Sequence, residues 1–145
     1  MLEVHGAVDA AVADLTSRST VRRARAAQLL GLAKAEHTVP LLVTALGDEA
    51  MEVRNSAAYA LGLIGDPVAA GPVLAAIGAP ERGLPAATAA EALQSMGVGI
   101  SEVLRDGMGD PNPRTRMVAA HLSGERSFTA DESTRSTGDR RRESE

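Results

Sequence analysis

The apolar residues of this chain fall at three- and four-residue steps. Between 51 and 64, Met51, Val53, Ala57, Ala58, Leu61 and Ile64 share one face of a helix. Gly62 and Gly65 follow its last turn and suit a helix C-terminus. Asp66-Pro67 restarts the chain, with aspartate as N-cap and proline in the first turn. A shorter helix then carries Val73, Leu74 and Ile77. No stretch shows the alternation or β-branched enrichment of a strand. The predicted unit is a pair of antiparallel helices.

The pattern returns every 31 residues. Leu15, Leu46, Ile77 and Met108 fall at that interval; Arg23, Arg54 and Arg116 keep the rhythm, as do Gly31, Gly62 and Gly124. A period of this size marks a stacked repeat array, in which each unit touches mainly its neighbours. An opening helix near 2–15 has Val8, Val12 and Leu15 in register with Val39, Val43 and Leu46. Helix pairs follow at 20–46, 50–77 and 83–108, and a lone helix near 113–123 comes last. The third pair departs from the rule. Ala79 stands where Asp48 and Asp110 do, and Gly83-Leu84-Pro85 replaces the Val53-Arg54 step. Residues 1–124 are thus expected to form an all-α, right-handed α-solenoid, with half-repeats at each end. Residues 125–145 are nearly free of apolar side chains and rich in charge, the composition of a disordered polar tail. Phe128 is its one residue suited to docking, and acids flank its basic run Arg140-Arg141-Arg142.

Composition narrows the function. Of 145 residues 44% are hydrophobic, the net charge is −4, and Tyr59 and Phe128 are the only aromatics. That balance disfavours a nucleic-acid partner, which needs a basic stripe and stacking surfaces. It equally disfavours attachment to anionic lipid. With no cysteine, disulfides, thiolate metal sites and thiol catalysis are excluded. There is no basic leader and no apolar run of the ~20 residues that span a bilayer, so membrane insertion is not expected and a cytoplasmic location is. Gly97-Val98-Gly99 and Gly107-Met108-Gly109 lack the strand and Gly-Lys-Ser/Thr context of a phosphate loop. No spacing singles out a nucleophile with its base.

The string from Asp48 through Val53-Arg54, Ala57-Ala58, Leu61-Gly62 and Ile64-Gly65-Asp66-Pro67 resembles the short HEAT-like repeat of the phycobilisome-lyase type. Arg22 to Gly31 and Asp110 to Ala120 match it too, so the resemblance covers about residues 8–124. The marker residues of tetratricopeptide and ankyrin arrays are missing. The resemblance implies a ladder: the turn aspartate caps the first helix, and the helix arginine reaches turn carbonyls or the acid of an adjacent unit. Asp48 with Arg54 and Asp110 with Arg116 fit this. Ser17 replaces the acid in the first unit, and the third unit has neither member, so the ladder should break there. The resemblance also suggests two enzymatic relatives. Deoxyhypusine hydroxylase binds iron through His-Glu dipeptides; this chain has Glu36-His37 in reverse order, with His5 and His121 on other units. The bilin lyases share the structural residues of the repeat.

The expected function is a non-catalytic scaffold or adaptor for a protein or peptide partner, with no cofactor and no metal; the alternative is an accessory or catalytic protein of the bilin-lyase or deoxyhypusine-hydroxylase kind. Second helices are expected to line a concave face through Asp9, His37, Leu41, Thr44, Pro72, Ala76, Glu102, Arg105 and Asp106. Arg18, Arg22 and Arg25 share one helical face. At the C-terminal end, Met117, Val118 and Leu122 are expected to leave apolar surface exposed. Weak self-association or partner docking through 114–128 would follow.

Overall fold

Among the described residues, 2–124, the computed structural model of the chain holds eight α-helices and no strand. They are α1 (Leu2–Asp14), α2 (Thr20–Leu32), α3 (Val39–Ala45), α4 (Met51–Ile64), α5 (Ala70–Ile77), α6 (Ala86–Ser95), α7 (Ser101–Gly107) and α8 (113–124). A turn of 3₁₀ helix leads into α3, α5 and α7, at Glu36–Thr38, Pro67–Ala69 and Gly97–Ile100. Asp66 caps the middle one by accepting from the Val68 amide at 3.0 Å. The expectations for 125–145, including Phe128 and the arginine run, lie outside the described residues.

The chain folds as an α-solenoid, but its packing is offset by one helix from the pairs read along the sequence. α1 packs on α2, α3 on α4 and α5 on α6. Gly107 of α7 faces Ala119 of α8, where an added Cβ would meet the alanine methyl at 3.0 Å. The half-repeats expected at the two ends therefore find partners, and the described residues form four pairs. This corrects the reading of the C-terminal edge. Val118 and Leu122, expected to be exposed, are buried in the core that α7 and α8 share with their neighbours. Of that trio only Met117 is exposed, at 60%.

Alanine-rich helices bury surface by approaching closely, and two glycines permit it. A Cβ on Gly31 would stand 2.5 Å from the Ala60 Cα, and one on Gly62 would stand 3.0 Å from the Ala92 Cα. Gly62 thus lies inside α4, not after it; Gly65 takes the left-handed cap at φ 73°. These contacts draw α2, α4 and α6 into one tightly spaced layer. The odd-numbered helices touch one another far less, with α5 on α7 the fullest such contact. Asp9, His37, Leu41, Thr44, Pro72, Ala76, Glu102, Arg105 and Asp106 all belong to the odd-numbered helices and their lead-in turns.

The third pair carries the expected irregularity. Pro85 has no amide to donate and disfavours helix in the residue before it. α6 accordingly starts only at Ala86, with no side-chain cap. The loop before it turns through Glu81 at φ 64°, and the Leu84 amide donates to the Ala76 carbonyl at 2.9 Å. That bond seats Leu84 in the core, one period after Val53, although its backbone is not helical.

Candidate functional site

The polar residues that the repeat fixes in place build its turns. Ser17 Oγ accepts from the Ser19 amide at 3.1 Å, Asp48 Oδ1 from the Ala50 amide at 2.9 Å, and Asp110 Oδ1 from the Asn112 amide at 2.8 Å. These are side-chain turns, two residues long, set just before the even helices. The aspartates are therefore not N-caps, as the sequence suggested. That role falls to Ser19, which accepts from the Arg22 amide, and to Asn112, which accepts from the amides of Arg114 and Thr115. The residue before α4 is Ala50, with no side-chain cap.

Each helix arginine reaches back to its own turn. Arg23 Nη1 donates to the Ser17 and Arg18 carbonyls at 2.9 and 3.3 Å. Arg54 Nη1 donates to those of Asp48 and Glu49 at 2.7 and 3.1 Å. Arg116 Nη1 donates to those of Asp110 and Pro111 at 2.8 and 2.9 Å. One arginine does more. Arg23 Nε donates to Asp48 Oδ2 at 3.0 Å and its Nη2 to Oδ1 at 3.2 Å, a bidentate pair between the first unit and the second. The expected ladder allowed an arginine to reach the acid of an adjacent unit but did not name this pair, which the 31-residue register of Arg23 with Arg54 signals. Burial opposes the charge on Asp48. The hydrogen bonds from Arg23 and the Ala50 amide, with the charges of Arg23 and Arg54, outweigh that penalty and hold its carboxyl below the usual range. The next rung is missing, as expected: Ala79 is in the acid's register, and the buried Nε of Arg54 has no hydrogen-bond partner.

The rung lines an open groove of about 670 Å³ between α1 and α3. Val12 lines it from α1, Leu15 from the turn that follows, and Leu41, Thr44 and Ala45 from α3. The turns add Arg18, Asp48 and Glu49, and Arg82 closes it from the loop before α6. Leu41 and Thr44 are the only residues of the predicted binding set that it gathers. Arg82 carried no sequence signal, because it belongs to the irregular loop. Asp106 lines a smaller hollow between α5 and α7 with Leu74 and Val103. Asp9, His37, Glu102 and Arg105 are exposed elsewhere on the odd helices and their lead-in turns, and Pro72 and Ala76 are half-buried on α5.

His5, His37 and His121 are exposed and lie on α1, the turn before α3, and α8. Among the described residues no three His, Asp or Glu side chains converge as metal ligands, so the residues present do not fit the iron site of the hydroxylase kind. Among the same residues no helix is long and apolar enough to cross a membrane.

A family model described as HEAT repeats matches residues 8–94. No curated protein matches the sequence. Among solved structures, the chain is similar to one in the complex of CpcE and CpcF of phycocyanin lyase from Nostoc sp. PCC7120. The two are 26% identical, with a TM-score of 0.55 over 78% of this chain. This chain spans half the length of that one.

Proposed function

Because the chain belongs to the HEAT-repeat family, we propose that it is a non-catalytic, cytoplasmic scaffold that holds a protein partner on the surface of its array. One observation carries this reading. The three repeat arginines are committed to turn carbonyls, and Arg23 also to Asp48, while an open groove lies beside that rung. Committed groups of this kind build architecture; a catalytic centre needs groups held in place and left available. The similarity to a chain from a two-protein complex supports a protein partner.

The same similarity favours a second reading, an accessory or catalytic subunit of the lyase kind. Purification of the full chain from its native cells separates the two. The scaffold reading expects co-purification of a protein at a fixed ratio, and an absorbance spectrum and metal content no different from those of bare polypeptide. A chromophore or metal ion retained at one equivalent through dialysis sinks it and favours the second.

A further inference from the structure

We propose that the groove between α1 and α3 docks a peptide segment of a partner protein, one that carries a large apolar side chain beside carboxylates. This rests on the scaffold reading and narrows it to one site and one chemistry.

The long walls of the groove are apolar: Val12 and Leu15 on one side, Leu41 and Ala45 on the other. Leu41 leaves 44% of its surface exposed, whereas its neighbour Leu42 is completely buried in the core. The solenoid does not need Leu41 where it stands. The groove exists because α1 and α3 barely touch, their spacing being set by the even helices they pack against.

The charge of the groove is unbalanced. Arg23 and Asp48 neutralise each other in the rung. Of the other charged lining residues, Arg18 and Arg82 are exposed and form no ion pair among the described residues. The remaining acid, Glu49, lies 3.8 Å from Arg23 Nη2. Arg82 Nη1 donates to the Gly47 carbonyl at 3.4 Å, which ties it to another residue of the groove's lining. Two exposed guanidinium groups thus join the apolar lining, on a chain whose net charge is −4. Guanidinium takes carboxylate through two parallel hydrogen bonds, and such a rim selects an acidic segment over a basic one. The trough is open along its length, which suits a chain segment better than a small molecule that must be mostly enclosed. It has no aromatic side chain on which a nucleobase could stack.

The test is amide NMR of the isotopically labelled full chain against two pools of synthetic peptides with random flanks. One pool fixes a leucine between two aspartates; the other replaces the aspartates with lysines. The aspartate pool is expected to shift amides around Leu15, Leu41 and Gly47, and the lysine pool to leave them in place. The double variant Arg18→Glu, Arg82→Glu should weaken the response roughly tenfold, as should Leu41→Asp. Arg105→Glu on α7 should not. Unchanged shifts elsewhere in each variant's spectrum report that it remains folded. Aspartate-pool shifts confined to another surface overturn the groove and leave the scaffold reading standing. Equal response to both pools overturns the charge argument. Silence from every amide with both pools overturns the groove, while the scaffold reading still stands or falls on the co-purification result.

Discussion

The junction between the first and second helix pairs and the junction between the second and third use the same device with different completeness. At the first, Gly31 lets the α2 backbone touch Ala60, and Arg23 bridges to Asp48 with two hydrogen bonds. At the second, Gly62 meets Ala92 half an ångström less closely, and Arg54 finds no acid. α2 also runs beside α4 for longer than α4 runs beside α6, because Pro85 delays the start of α6. Both junctions hold. Close backbone packing is therefore common to both junctions, and the rung is an addition that one carries and the other lacks.

The largest expected effect tests the packing. Gly31→Ala puts a methyl group within 2.5 Å of backbone that cannot step aside. Overpacking of that kind costs up to about 3 kcal/mol, against a gain of about 1 kcal/mol in helix propensity, for a net loss of about 2 kcal/mol. Gly62→Ala should lose about 1 kcal/mol or less, since its nearest backbone contact is looser. Urea unfolding of the two variants checks the order; equal losses would mean that the junctions do not differ in packing.

A smaller effect tests the rung. Asp48→Ala should lose about 1.5 kcal/mol, because it strips Arg23 of two charged hydrogen bonds and the turn of one. The reverse experiment sharpens the comparison. Ala79→Asp offers Arg54 Nε its missing acceptor and should raise the melting temperature by an amount worth less than about 1 kcal/mol. That gain should vanish in an Arg54→Met background. A gain that persists there would come from the loop and not from a second rung.

The smallest effect is in pH. Asp48 ionises below the usual carboxylate range in the folded chain. Its contribution is thus complete above the carboxylate's unfolded pKa and is lost as pH falls through the lower folded value. Stability of the wild type and of Asp48→Asn, followed by chemical unfolding from neutral pH downward, should converge in acid. A constant difference between them would place the role of Asp48 in its shape and not its charge.

The helices and their stacking were legible in the sequence because both follow from spacing. Val53, Ala57, Ala58 and Leu61 are buried as the three- and four-residue steps require. The break in the ladder was legible in Ala79 and Pro85. The pairing of helices was not, because a period of 31 residues reads the same whichever helix begins the unit. The close approach of α2 to α4 was not either: a sequence shows Gly31 and Ala60 but not that they meet. The groove was least visible. It is a gap between α1 and α3, bounded by Arg18 from one turn and Arg82 from a loop that departs from the period.

Each arginine of the repeat finds its carbonyls five and six residues back, inside its own unit. The wiring is private. A duplication or loss of one period carries the arginine, its turn and both bonds along intact, and leaves only the seam to be matched. A seam made of a glycine against an alanine is a forgiving one, because it asks for small residues and no particular partner. Such a chain can grow or shorten by whole periods over evolutionary time without passing through an unfolded ancestor, and a lapsed rung such as the one at Ala79 can be inherited without harm.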